Sequence, residues 1–464
     1  MTIHTSTLRK TRSLSTILAM SPLSHTDPEI TGLIAAEDLR QTDGLTLIPS
    51  ENHTSRSVLD ALSTTLSDKY AEGYPGNRYY TGNEVVDQLE TLVMERAKSV
   101  FGVPFVNVQP YSGSPANLAV YLATCEPGDP FMGLNLLDGG HLTHGWKNNA
   151  TSRLWKSIPY HMKEDGTFDF DEIRRLALAE KPKLIWCGGT AVPRTVPFEQ
   201  FAAIADEVGA YLVADVSHIA GLIAGGAHPS PAPHVHIITT TTHKTLRGPR
   251  GAMIMVTEKG LAKNPELGSA INKAIIPGLQ GGPHMNTIAG IGVALKEAQS
   301  DAFKSYASNV VSNAGTLSAA LKSRGFTLVS GGTDNHLLLL DFTLTGVSRG
   351  RFFHFALERI GLYTNYNMVP GDKGTALYPS GLRIGTPAAT TRGMGTKEME
   401  QVAELISRVA EHISSYQMPA DREGRIDTMN QFAEHLKTDP FYNSLREEVR
   451  TLCREFPIPA LKTE

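Results

Sequence analysis

The sequence predicts an α/β protein in which a large domain with a mostly parallel, doubly wound sheet precedes a smaller C-terminal α/β domain. Residues 84–101 and 198–208 carry apolar side chains at helical spacing. The second segment stops at Gly209 and leads at once into an apolar strand that ends at Asp215. Such a helix–strand unit is the repeating unit of a doubly wound sheet. A predicted strand at 337–341 and a predicted helix at 398–413 indicate the second domain.

Length and composition limit the classes of protein to consider. A chain of 464 residues is too long to fold around one compact core. We therefore expect a leader or transit segment at 1–25, an N-terminal arm at 26–60, a large domain at 61–305 and a small domain at 306–464. A hydrophobic content of 41% and a charged content of 19% are typical of globular proteins. The net charge of −4 argues against a nucleic-acid binder, and no apolar run reaches the roughly 18 residues of a membrane span.

The N-terminus allows two interpretations of cellular location. The first 20 residues contain Arg9, Lys10 and Arg12, and no acidic residue precedes Asp27, which is the composition of a transit peptide. Met20 offers another explanation, in which translation starts there and the leader is an artefact or a disordered tail. Three cysteines without metal-type spacing fit a reducing compartment. We therefore expect a cytoplasmic enzyme, with a mitochondrial or plastid location as the alternative.

Lys244 is the first candidate catalytic residue. It lies in a run of threonines beside His243, with two arginines close behind, after a predicted strand end at 237–238 and before a turn at 247–249. This loop position is where α/β proteins bind ligands. A lysine whose pKa is lowered by burial or by nearby cations is nucleophilic, and it condenses with an aldehyde such as pyridoxal phosphate. A solvated surface lysine is the alternative.

Two further segments fit the same cofactor. A carboxylate at a buried strand end, as predicted for Asp215, keeps the ring nitrogen of pyridoxal phosphate protonated; a helix N-cap is the alternative role. Nearby, His218 fits either the cofactor site or the core. In residues 109–119, Ser114 is the predicted N-cap and Pro115 the first helical residue, so free N–H groups would face an anion. An ordinary turn is the alternative there.

Seven segments, in one order along the chain, resemble the serine hydroxymethyltransferase family, whose members are pyridoxal-phosphate enzymes of fold type I. The resemblance implies that Lys244 bonds covalently to the cofactor, that Asp215 pairs with its pyridinium nitrogen and that His141 stacks on its ring. By the same resemblance, His218 and Thr190 contact the region of its phenolic oxygen. The segments are residues 47–52, 69–80, 139–145, 239–250, 281–283, 331–336 and 380–387.

The resemblance also implies a homodimer with shared active sites, or a tetramer built from such dimers. The phosphate would be held by Ser112, Gly113 and Ser114, with Gly281 and Gly282 supplied by the neighbouring subunit. The loop at 70–80 would enter the partner's active site. Glu72 would transfer protons, and Arg383 would bind the substrate carboxylate. The substrate pocket would be lined by Tyr70, Tyr80 and Ser50, and His243 would lie beside the lysine. Folate would be bound by Glu72, Leu136, Gly140, Leu142 and Asn367.

Three functional hypotheses follow. The leading one is reversible transfer of the serine hydroxymethyl group to tetrahydrofolate, which yields glycine and 5,10-methylenetetrahydrofolate in one-carbon metabolism and glycine biosynthesis. Departures from the family pattern at Asp138, 188–194, 216–217 and 371–379 leave room for a pyridoxal-phosphate aldolase or transaldolase acting on threonine-like or α-methylserine substrates. The third is a non-catalytic protein of the same fold that binds a partner or RNA, which an intact Lys244 disfavours.

Overall fold

The computed structural model describes residues 22–346 and 349–461. The transit-peptide and start-site predictions concern residues outside these ranges and stay predictions. Within the described ranges, no helix combines the length and the apolar character that crossing a membrane requires. The strands are β1 Leu45–Thr46, β2 Gly73–Tyr74, β3 Asn77–Arg78, β4 Phe105–Asn107, β5 Pro130–Leu134, β6 Lys156–Tyr160, β7 Leu184–Cys187, β8 Tyr211–Asp215, β9 Ile237–Thr241, β10 Ala252–Val256, β11 Thr327–Leu328, β12 Leu337–Asp341, β13 Leu362–Tyr363, β14 Asn365–Asn367 and β15 Gly381–Gly385.

Helices connect these strands and cover both faces of the larger sheet. Their apolar residues pack against the sheet in two buried clusters, one on each side. The α-helices are α1 Pro22–Thr26, α2 Pro28–Asp43, α3 Arg56–Leu62, α4 Glu84–Phe101, α5 Gly113–Thr124, α6 Ala150–Leu154, α7 Phe170–Glu180, α8 Phe198–Val208, α9 Ala220–Ala224, α10 Glu258–Lys263, α11 Leu267–Ile275, α12 Met285–Ala298, α13 Asp301–Ser323, α14 Gly350–Arg359, α15 Pro387–Thr391, α16 Thr396–His412, α17 Arg422–Thr438 and α18 Pro440–Glu455.

The larger sheet has seven strands in the order β4-β10-β9-β8-β7-β5-β6. Strand β10 runs antiparallel to both of its neighbours, while the pairs from β9 to β6 are parallel. Because helices cover both faces, strands such as β7 are buried along their whole length and carry apolar residues without alternation. The predicted doubly wound, mostly parallel sheet is confirmed.

The central helix–strand unit follows the predicted bounds. Helix α8 ends where Gly209 adopts a left-handed conformation with φ 73°, which closes the helix before β8 begins. Strand β8 ends at Asp215, and Asp215 pairs in register with Thr239 of the parallel strand β9. The chain leaves β9 towards Lys244 at the same edge of the sheet. The fold therefore brings the two residues of the predicted cofactor site to neighbouring strand ends.

A second, four-stranded antiparallel sheet with the order β11-β12-β15-β14 forms the C-terminal part. Strand β12 has the predicted bounds, and α16 begins two residues before the predicted start. The N-terminal arm joins this part through the parallel pair β1 and β13. Helix α13 packs on the large core through Phe303 and Tyr306 and on the small core through Leu317 and Leu321. We propose that the domain boundary lies within this helix.

Candidate active site

Lys244 is a buried lysine whose backbone is held in place and whose amine is free. Its carbonyl oxygen accepts a hydrogen bond from Nδ2 of Asn52 at 3.0 Å. Its Nζ makes no hydrogen bond within the described residues. Burial, together with the charges of Arg383 and Arg250 and against the opposing charge of Asp215, lowers the pKa of Lys244 to about 8. A lysine of this kind supplies a neutral, nucleophilic amine near physiological pH.

At the end of β8, the Asp215 side chain is 9% exposed, and both of its carboxylate oxygens accept hydrogen bonds. Its Oδ2 accepts from Nδ2 of Asn117 at 2.9 Å and lies 3.2 Å from Nε2 of His144, while Oδ1 accepts from the backbone N of Ser217 at 3.1 Å. Although burial raises the pKa of Asp215, the hydrogen bond and charge of His144 and the charges of His141 and Lys244 hold it well below its usual range. The carboxylate therefore stays anionic, as a partner for a protonated ring nitrogen must.

His144 contacts the Asp215 carboxylate, and the sequence analysis did not assign it to the site. Its Nδ1 accepts the backbone N–H of His141 at 3.3 Å, so the ring carries its proton on Nε2, which faces Asp215. The ring also stacks on Trp186, with centroids 5.0 Å apart and planes 17° apart. The only signal in the sequence is its place in the segment 139–145, three residues after His141. Asn117, on the first turns of α5, was also missed.

The predicted N-cap of the helix expected to bind the phosphate was wrong by two residues. Helix α5 begins at Gly113, and Ser112, rather than Ser114, is the N-cap, because residues 113 and 114 already adopt the helical conformation. No side chain caps the helix, which leaves its first amides available to an anion. A Cβ atom at position 113 would lie 2.8 Å from Cγ2 of Thr241, so glycine is required for this close approach. The start of α5 is therefore suited to a phosphate group.

One open cavity of about 360 Å³ unites most of the predicted site residues around Lys244. A smaller cavity adjoins it and reaches Gly113 and Asp215. The larger cavity also contains Arg250, which was not a predicted site residue. Its lining consists of Ser50, Leu136, Gly140, His141, Leu142, Thr190, His218, His243, Lys244, Arg250, Asn367 and Arg383.

Arg383 projects from β15 into this cavity and is held in one orientation by two acceptors. Its Nε donates to Oδ1 of Asn365 at 3.0 Å, and its Nη1 donates to the carbonyl oxygen of Thr190. Its Nη2 makes no hydrogen bond within the described residues. Burial lowers the pKa of Arg383 to about 10, which still leaves the guanidinium charged at neutral pH. A fixed, partly buried cation of this kind is suited to a carboxylate ligand.

Five predicted site residues form a second group that does not line the Lys244 cavity. The rings of Tyr70 and Tyr80 are 5.1 Å apart and are 56% and 45% exposed. A Cβ atom at Gly282 would lie 3.3 Å from the Tyr70 ring, and one at Gly281 would lie 3.0 Å from the Glu72 carboxylate. Most of the predicted site residues of one chain therefore lie in two places: the Lys244 cavity with the smaller cavity that adjoins it, and an exposed tyrosine patch formed by Tyr70, Glu72, Tyr80, Gly281 and Gly282.

Comparison with known proteins agrees with this geometry. A family model described as serine hydroxymethyltransferase matches residues 23–406. The serine hydroxymethyltransferase of Acidothermus cellulolyticus is 51% identical, over 95% of this chain and 98% of the relative. That of Sorangium cellulosum is 50% identical, over 97% of this chain and 99% of the relative. The chain therefore belongs to the serine hydroxymethyltransferase family.

Proposed function

We propose that the cavity around Lys244 is the active site of a serine hydroxymethyltransferase and that its residues divide the work as the sequence predicts. Membership of the family confirms the predicted enzyme class, the transfer of a hydroxymethyl group between serine and tetrahydrofolate, and pyridoxal phosphate as the cofactor. The observation that carries the assignment of the site is the buried amine of Lys244, which has no hydrogen-bond partner among the described residues and whose lowered pKa is the property that covalent attachment of an aldehyde needs.

The residues present fit the cofactor at three points. The Lys244 amine would form the covalent bond, the Asp215 carboxylate would hold a proton at the ring nitrogen, and the uncapped amides of Gly113 and Ser114 would bind the phosphate. His141, Thr190 and His218 line the space between these points. Bound pyridoxal phosphate supplies an electron sink for the bond that breaks at the amino-acid Cα.

Arg383 orients the amino-acid substrate in this proposal. A planar guanidinium forms two parallel hydrogen bonds with a carboxylate, which fix both its position and its tilt. Because Asn365 and Thr190 already hold the guanidinium, little side-chain freedom is lost when the carboxylate binds. The four predicted folate residues that line the same cavity surround the space left for the one-carbon acceptor: Leu136, Gly140, Leu142 and Asn367.

The exposed tyrosine patch supports a homodimer with shared active sites. Glu72 is the residue proposed to move protons, yet it does not line the Lys244 cavity of its own subunit. Two tyrosines that are about half exposed beside it form an apolar surface suited to contact with a second copy of the chain. A mixed dimer of Lys244→Ala and Glu72→Gln subunits would then keep one intact site, and it should recover activity that both parent dimers lack.

The function is tested with purified holoenzyme, serine and tetrahydrofolate. We expect glycine and methylenetetrahydrofolate in equal amounts, and no product from the Lys244→Arg variant. Parallel reactions with allo-threonine and α-methylserine, each without folate, test the aldolase alternative. Folate-independent turnover that exceeds the serine reaction would replace the proposed function by that alternative.

A further inference from the structure

A second buried histidine, His336, lies behind His218 and has no assigned role. It immediately precedes β12, and its Nε2 lies 3.1 Å from Nδ1 of His218. The two rings are 5.3 Å apart, and His336 and His218 are 0% and 4% exposed. His218 in turn lines both the Lys244 cavity and the smaller cavity that reaches Asp215. The pair therefore links the start of β12 to the cofactor site.

Both rings are neutral. Burial, followed by the charges of Lys244 and Arg383, holds the pKa of His218 well below its usual value. Burial and the same two cations lower the pKa of His336 to about 3. Each ring therefore carries one proton, and the hydrogen bond between the rings uses one of the two.

The unpaired nitrogen of His336 decides which ring donates. Its Nδ1 is buried and has no hydrogen-bond partner among the described residues. If His218 donated, His336 would carry its proton on Nδ1, as a buried N–H without an acceptor. If His336 donates from Nε2, its Nδ1 carries no proton, and only the lone pair of that nitrogen is left without a partner among the described residues. Orphaned buried N–H groups are the rarer and more costly of these two defects.

We propose that His336 is a positioning residue that fixes the tautomer of His218, so that Nε2–H of His218 faces the cavity as a hydrogen-bond donor. Because Nδ1 of His218 accepts from His336, its only proton is on Nε2, which makes no hydrogen bond within the described residues. The group that such a donor recognises is the phenolic oxygen of the cofactor. This inference rests on the proposed function, since it assigns a contact to the cofactor held by Lys244.

The test measures cofactor binding rather than turnover. Apoenzyme is titrated with pyridoxal phosphate, and Kd is read from the visible absorbance of the complex for wild type, His336→Phe, His336→Gln, His218→Phe and the double His218→Phe/His336→Phe variant. We expect His336→Phe to weaken binding about 10- to 100-fold, the loss of one hydrogen bond to a charged or strongly polar group. His336→Gln keeps an N–H donor and should recover most of the affinity.

The double variant separates positioning from a merely structural role. If His336 acts through His218, the double variant binds as His218→Phe does; a further loss equal to that of His336→Phe alone overturns the inference. Should His336→Phe not fold, ¹⁵N-histidine NMR of the wild-type protein decides, and a proton on Nδ1 of His218 would overturn the proposal. A wild type that takes up no cofactor would instead refute the proposed function.

Discussion

Nε2 of His144 lies 3.2 Å from Oδ2 of Asp215, and this contact orients the carboxylate that we propose as the partner of the cofactor ring nitrogen. Because Nδ1 of His144 already accepts a backbone N–H, the ring can only donate towards Asp215. Metal sites show the same arrangement, in which a neighbouring side chain orients a ligand by a hydrogen bond. Loss of such a neighbour typically lowers metal affinity or activity 10- to 100-fold.

The first prediction concerns this contact. The substitution His144→Phe keeps a ring that can stack on Trp186 but removes the donor, so we expect kcat for serine to fall about tenfold. Steady-state kinetics with saturating pyridoxal phosphate measure the effect. His412→Phe is the matched control, because His412 also pairs with a carboxylate, that of Asp439 at 2.7 Å, but outside the Lys244 cavity. Equal losses in the two variants would contradict a specific role for His144.

The second prediction concerns pH. Lys244 reacts as the neutral amine, and its lowered pKa of about 8 means that this form accumulates as pH rises towards 8 and is the major form above it. The rate at which apoenzyme takes up pyridoxal phosphate should therefore increase about tenfold per pH unit below pH 8 and level off above it. Stopped-flow absorbance from pH 6 to 10 measures this rate. A rise that continues through pH 10 would indicate an ordinary, solvated lysine.

The third prediction concerns the substrate carboxylate. Arg383→Lys replaces a planar fork by a single point charge, which cannot reproduce two parallel hydrogen bonds. We expect KM for serine to rise about 100-fold, with a smaller change in kcat. Initial rates over a wide range of serine concentrations measure both constants. Arg408→Lys, at a surface ion pair with Glu448, should leave both unchanged.

The fourth prediction concerns the buried ion pair that supports the loop of the exposed tyrosine patch. Nη2 of Arg78 lies 2.6 Å from Oε2 of Glu90, with side chains 3% and 1% exposed, and Nη1 donates to the carbonyl oxygens of Ala71 and Gly73. Arg78→Met leaves Glu90, whose pKa burial already raises, without its cationic partner and with only the hydrogen bond from Gln109. We expect the free energy of unfolding to fall by about 3–5 kcal/mol.

Chemical denaturation at one fixed protein concentration checks this value, because the stability of the proposed dimer would depend on concentration. Arg174→Met, which breaks the solvent-exposed pair with Glu207, is the control and should give no resolvable change. A similar effect of both substitutions would mean that the buried pair contributes no more than an exposed one.

The parts of the fold that could be predicted are those set by local pattern. Helices α4 and α8 have the predicted bounds because their apolar spacing is regular and because Gly102 and Gly209 end them in the left-handed conformation. Asp215 and Lys244 could be found because the first ends a recognisable buried strand and the second closely follows one. The N-cap of α5 was misplaced because Ser114-Pro115 matches the usual cap pattern, although the helix begins at Gly113.

The residues that were missed act through contacts between distant parts of the chain. His144 and Asn117 reach Asp215 across 71 and 98 residues of sequence. His336 reaches His218 across 118 residues, from the second domain. Nothing local distinguishes these side chains from buried core polar residues, because their partners are set by tertiary packing. Sequence pattern therefore identified the groups at strand ends and missed those that orient them.

Covalent attachment of the cofactor to Lys244 is tested most directly by borohydride reduction of the holoenzyme, followed by proteolysis and mass spectrometry of the peptides. The account predicts one phosphopyridoxyl group per chain, on Lys244, and none in the Lys244→Arg variant. A label on another lysine, or an unlabelled Lys244 in a protein that retains pyridoxal phosphate, would contradict it.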